Sequence, residues 1–145
     1  MSATEDDPRL RLANDLRIAC QRIARRVRFE STTDVAPHQF SVLVSLHRLG
    51  PRTPTQLAEA DRVSTPSMTR TVNCLADAGL VERSPHPDDR RQVLVSLTAA
   101  GDQVIEDTVA SRDVWMLNHL DGLEPDQLDL LRRAADLLLE VSHAQ

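Results

Sequence analysis

Between residues 64 and 73 the chain gathers hydrogen-bonding side chains of one kind. Ser64, Thr65, Ser67 and Thr69 carry hydroxyls, Arg70 a guanidinium and Asn73 an amide, with Pro66 among them. Small hydroxyls at the start of a helix, where backbone N–H groups point outward, suit phosphate oxygens. Arg donates two bonds to the O6/N7 edge of guanine, and Asn pairs with the N6/N7 edge of adenine. A second cluster follows, Asp88-Asp89-Arg90-Arg91. Adjacent arginines on a projecting ribbon reach a minor groove or straddle phosphates. An aspartate two residues before Arg91 is placed to hold that guanidinium. Each cluster also has a plainer reading: a solvated helix face and a charged, exposed turn.

The elements that must position these groups are legible from periodicity. Leu12, Leu16, Ala19, Ile23 and Val27 recur at three and four residues, which predicts helix 1 over about 9–31. Pro37 suits the first turn of helix 2, which carries Phe40, Leu43, Val44 and Leu46 and stops before Gly50-Pro51. Thr53-Pro54-Thr55-Gln56 is a capping box that opens a short helix 3. Ser64-Thr65-Pro66 repeats the device for helix 4, with Met68, Thr71, Val72 and Leu75 inward and Gly79 as the stop. Val81 and Arg83, then Val93, Val95 and Leu97, alternate as two strands, with the turn expected at Ser84 to Arg90. Thr98 caps helix 5, to about His119, and helix 6 begins near Pro125. The fold expected is mostly α, in the order α-α-α-α-β-β-α-α. Two short helices, a tight turn and a hairpin make a winged helix-turn-helix at about 37–97, between long helices at about 9–31 and 98–143, within one domain of 1–145.

Charge distribution fits this reading better than net charge does. The net charge is -5, but ten acids against three Arg lie between Thr98 and Gln145, while seven Arg face six acids from Pro37 to Leu97. The middle of the chain can therefore meet phosphate. Every basic residue is Arg, and the aromatics are Phe29, Phe40 and Trp115 alone. Single strands are held by stacking bases on aromatic rings, so duplex DNA is the better partner for this composition.

Other chemistries find little support. His38, His47, His86, His119 and His143 form no HxH or HExxH pattern, so no metal site is expected. No Gly-rich phosphate loop, nucleophile elbow or paired carboxylate motif is present, and neither a cofactor nor catalysis is expected. Cys20 and Cys74 are expected to be reduced and unpaired, with Cys20 buried in packing and Cys74 at least partly exposed. No apolar run reaches membrane length, and Met1 to Asp7 is acidic and unlike a signal peptide, so a cytoplasmic protein is expected.

Gly79-Leu80-Val81-Glu82-Arg83, His86-Pro87-Asp88-Asp89-Arg90-Arg91, and Val93 through Thr98 with Gly101 together resemble the wing of the MarR family of transcriptional regulators. Leu57-Ala58, Val63-Ser64 and Met68 to Val72 resemble its helix-turn-helix. The resemblance implies a homodimer through helices 1, 5 and 6 that binds a near-palindromic operator. It implies major-groove readers from Ser64 to Arg70 and a minor-groove contact by Arg91, braced by Asp89 and flanked by Arg90. It also implies repression relieved by a small, often aromatic or phenolic effector. Arg17 and His38 are candidate anchors for that effector where helices 1, 2 and 5 meet; the alternative is that both are surface residues. The turn departs from the family pattern, with Asp61-Arg62 in place of an apolar residue and Gly. A rival reading is a protein-interaction module whose acidic surface repels DNA.

Overall fold

The computed structural model describes residues 7–30 and 34–143. Its elements run α1 (Pro8–Glu30), α2 (Pro37–Leu49), α3 (Pro54–Asp61), α4 (Thr65–Asp77), β1 (Val81–Pro85), β2 (Val93–Leu97), α5 (Ala99–Leu120) and α6 (Pro125–His143). This is the expected order; residue 31, the expected end of the first helix, lies outside the described residues. The core joins α2 (Val42, Leu43, Leu46), α3 (Leu57, Ala58), α4 (Met68, Val72, Leu75), the hairpin (Val81, Val95) and the start of α5 (Ile105).

Local chemistry fixes the boundaries. Gln56 N–H donates to Thr53 Oγ1 at 3.2 Å and Thr53 N–H to Gln56 Oε1 at 3.0 Å, a closed capping box at the head of α3. Ser64 Oγ accepts from Ser67 N–H at 3.3 Å at the head of α4. The tail of α4 is a Schellman motif: Gly79 N–H bonds Ala76 O and Leu80 N–H bonds Leu75 O, both at 2.9 Å, with Gly79 at φ 73°. Arg62 takes the left-handed position after α3 (φ 55°, ψ 43°), a conformation that favours glycine. The chain thus forms the turn despite the residue type.

Two sequence expectations need correction. The turn of the hairpin lies beyond Ser84 and Pro85, which belong to β1 and pair with Leu94 and Val93. Proline is tolerated here because Pro85 stands opposite Val93 at a pair that exchanges no backbone bond, the next cross-strand bond being made by His86 N–H to Gln92 O at 3.0 Å. Cys20, expected to be buried, is exposed. The reason is that α1 buries no residue in the single chain. Cys74 is exposed as expected.

One pairing had no sequence signal. Arg52 exchanges two backbone bonds with Val95, at 3.0 and 2.8 Å, and so ties the α2–α3 link to the hairpin.

Candidate nucleic-acid interface

The segment α3–turn–α4 presents one face of α4 outward. Met68, Val72 and Leu75 anchor that helix in the core, leaving Thr65, Pro66, Thr69 and Arg70 exposed, and Ser67 and Asn73 half-buried. The Ser64 oxygen is engaged as the cap. The Thr69 hydroxyl donates to Thr65 O at 2.9 Å, so towards solvent it offers an acceptor. Arg70 makes no intramolecular hydrogen bond or ion pair among the described residues, and its five donors face water.

The hairpin tip brings Asp89 and Arg91 together. Asp89 Oδ1 accepts from Arg91 N–H at 3.1 Å and from Arg91 Nε at 3.2 Å. These bonds, the backbone one first, hold the Asp89 carboxyl below the usual aspartate range. The brace fixes the root of the Arg91 side chain while leaving it 93% exposed. Arg90 is exposed beside it. A cleft of about 650 Å³ runs between the start of α3, Thr65 and Thr69 of α4, and Arg91 on the hairpin. Helix face and hairpin tip therefore border one concave surface, the geometry of a winged helix that sets one element in a major groove and the other beside it.

A family model described as the MarR family matches residues 35–93. An HTH-type transcriptional regulator of Mycobacterium leprae is 44% identical over 136 residues, covering 93% of this chain and 95% of that protein. The chain belongs to the MarR family. Its solved neighbours include a candidate transcriptional regulator from Pseudomonas aeruginosa PA01, with a TM-score of 0.83 at 30% identity over 96% and 99% of the two chains. Wild-type MarR of Escherichia coli in its apo form aligns with a TM-score of 0.73 at 28% identity, over 88% of this chain and 96% of that one. Like its relatives, this MarR-family chain is a transcriptional regulator of the winged helix-turn-helix type. No helix among the described residues is long and apolar enough to cross a membrane.

The expected effector anchors are not brought together in this MarR-family fold. Arg17 bonds Asn14 Oδ1 at 2.7 Å and Gln21 Oε1 at 3.3 Å along α1. At 1.5 Å per residue it lies about 16 Å up the helix from the α1–α2 junction near Arg28. His38 instead lines a pocket with Asp61, Ser67 and Arg70 beside α4. The junction of α1, α2 and α5 holds a different set: Arg28, Phe40, Val44, Arg48 and Arg112 around a cleft of about 420 Å³. The Arg112 guanidinium lies 4.4 Å over the Phe40 ring, and its buried Nε has no hydrogen-bond partner. Burial, with the charge of Arg28 adding, pushes Arg112 below the ordinary arginine range. Phe40 and Val44 are half-buried and form part of the wall of this cleft. Nothing in the periodicity of α5 singles out Arg112, since its partner lies on another helix. Strand alternation likewise gives no sign that Arg83 donates to Asn73 Oδ1 at 2.5 Å.

Proposed function

We propose that this chain is a homodimeric, cytoplasmic repressor that binds a near-palindromic duplex operator and is released by a small anionic aromatic or phenolic effector. In this reading the lobe at about 37–97 carries Ser64, Thr65, Pro66, Ser67, Thr69, Arg70 and Asn73 to a major groove. The hairpin carries Asp89, Arg90 and Arg91 to the flanking minor groove. The helices at about 9–31 and 98–143 form the dimer. The observation that carries the reading is one cleft shared by Thr65 and Thr69 of α4 and a braced, solvent-facing Arg91, with Arg70 exposed on α4 and unpartnered among the described residues. A free guanidinium on a helix face and a pre-positioned one on a ribbon suit two different grooves.

For the effector, the α1–α2–α5 cleft supports the reading better than Arg17 and His38 do. An aromatic carboxylate or phenolate would lie beside Phe40 and pair with the Arg112 guanidinium that lines the cleft. Such a ligand acts by favouring a spacing of the two lobes that misfits DNA. The deciding experiment is selection from a randomised duplex library with the purified protein over a range of salt. Enrichment of a two-fold site, with affinity falling steeply as salt rises, supports the reading. Retention of protein partners with no duplex enriched at any salt would put the protein-interaction module in its place.

A further inference from the structure

The setting of Asn73 alters what it can offer a base. Arg83 Nη1 donates to Asn73 Oδ1 at 2.5 Å. A guanidinium carries donors only, so the amide oxygen, not the NH₂, must face it. The hairpin register explains how Arg83 arrives there. Val81, Arg83 and Pro85 stand opposite Leu97, Val95 and Val93. Val81 and Val95 are buried, so this face of the hairpin lies against the helices. Arg83 shares that face, and its guanidinium emerges at the edge beside the outward side of α4.

Asparagine recognises adenine by using both ends of its amide: Oδ1 accepts from N6 and Nδ2 donates to N7. Here Oδ1 is engaged and a positive charge stands beside it. The amino hydrogens of adenine N6 or cytosine N4 would approach against that charge. Nδ2 remains a donor, and guanine presents two adjacent acceptors, O6 and N7. We infer that Arg83 is a positioning residue that sets base preference, holding Asn73 so that it reads guanine rather than adenine at one base pair of each half-site. The inference rests on the reading of α4 as a major-groove helix.

The test is selection from a randomised duplex library by wild type and by Asn73→Ala, Asn73→Asp, Arg83→Lys and Arg83→Met, each checked by circular dichroism and sedimentation. Wild type should favour guanine over adenine by about tenfold at one position per half-site, the lower part of the range for a base contact. Asn73→Ala should flatten that position alone. Arg83→Lys, still only a donor, should keep the guanine. Arg83→Met frees Oδ1 and should move the preference to adenine. Asn73→Asp, which removes the outward donor without touching Arg83, should lose the guanine preference even if Arg83→Met proves unstable. Adenine preferred by wild type at the position that Asn73→Ala flattens, no position flattened at all, or guanine kept by Arg83→Met would overturn the inference and leave DNA binding intact. A wild-type protein that enriches no duplex would overturn the DNA reading and this inference with it.

Discussion

Arg70 and Arg91 are both solvent-facing arginines, yet their surroundings differ. Arg70 has no partner among the described residues, which leaves its hydrogen-bonding fork open to a base edge. Arg70→Ala is expected to weaken operator binding by about 2–6 kcal/mol over two independent half-sites and to flatten preference at one position in each. Arg91 is held at its root by Asp89 and reaches outward. Arg91→Ala is expected to lower affinity with little change in preferred sequence. It should also reduce the slope of log affinity against log salt by about two, one lost phosphate or groove contact per subunit. Titrations at several salt concentrations separate the two outcomes. The Asp89–Arg91 brace was legible in the sequence because its partners are two residues apart. The Arg83–Asn73 and Arg112–Phe40 contacts were not, because each joins two elements whose docking no local pattern encodes. Arg62 offers a third test at this scale. Its left-handed backbone costs a side-chain-bearing residue about 1–2 kcal/mol. Arg62→Gly should recover part of this, offset by the greater unfolded-chain freedom of glycine. A midpoint of denaturant unfolding lowered in Arg62→Gly by the full cost of an unstrained glycine substitution, about 0.5–1 kcal/mol, would show that the turn is not strained.

The elements are punctuated by short-range devices, which is why their order could be read in advance. Thr53 with Gln56, Ser64 with Ser67, and Gly79 with Leu80 each act within five residues. Their docking depends on contacts far apart in the chain. The junction of the hairpin with α5 is the clearest case. Thr98 Oγ1 donates to Gly79 O at 2.7 Å and accepts from Gly101 N–H at 3.1 Å, so one hydroxyl ties the end of α4 to the start of α5. A Cβ on Gly101 would lie 2.2 Å from Leu80 O and 2.6 Å from Leu97 Cδ1. Glycine is needed here for close approach, not for an unusual φ. Gly101→Ala should therefore destabilise the fold by about 1–3 kcal/mol through overpacking, read from denaturant unfolding. At its other end α5 meets α1, where Trp115 Nε1 donates to Glu30 Oε2 and Arg26 pairs with the same carboxylate at 3.1 Å. The Trp115 bond, then that from Arg26, holds the Glu30 carboxyl below the usual glutamate range. A depressed folded value means this contact stabilises above the ordinary glutamate pKa and is lost as pH falls through the lowered one. Trp115 emission should accordingly shift on acidification in the wild type, and the shift should be absent in Glu30→Gln.

The whole chain exposes 11130 Å². A compact monomer of 16.2 kDa is expected to expose only about 7,500 Å². Exposed apolar side chains sit where the core does not reach: α1 and α6 bury no residue, while Leu16, Ile23, Leu128 and Leu131 are all 39% exposed or more. The surface beyond that expectation, about 3,600 Å² per chain, is more than the roughly 1,000–2,500 Å² that each partner of an obligate homodimer buries. The acidic charge of the last third belongs to the same region, away from the arginines of the helix-turn-helix and hairpin. Dimerisation of the kind proposed would have two consequences: it would cover the exposed leucines and fix the separation of the two proposed DNA-reading lobes. Leu128→Glu with Leu131→Glu should place two charges per subunit in that face, and burying either uncompensated costs several kcal/mol. Sedimentation should then show a monomer where the wild type is a dimer at micromolar concentration. Operator affinity should fall by far more than for a lost contact, because two linked half-sites become two independent ones. A wild-type monomer at that concentration, or a double variant that stays dimeric and binds DNA as before, would remove α6 from the interface and require another cover for its leucines.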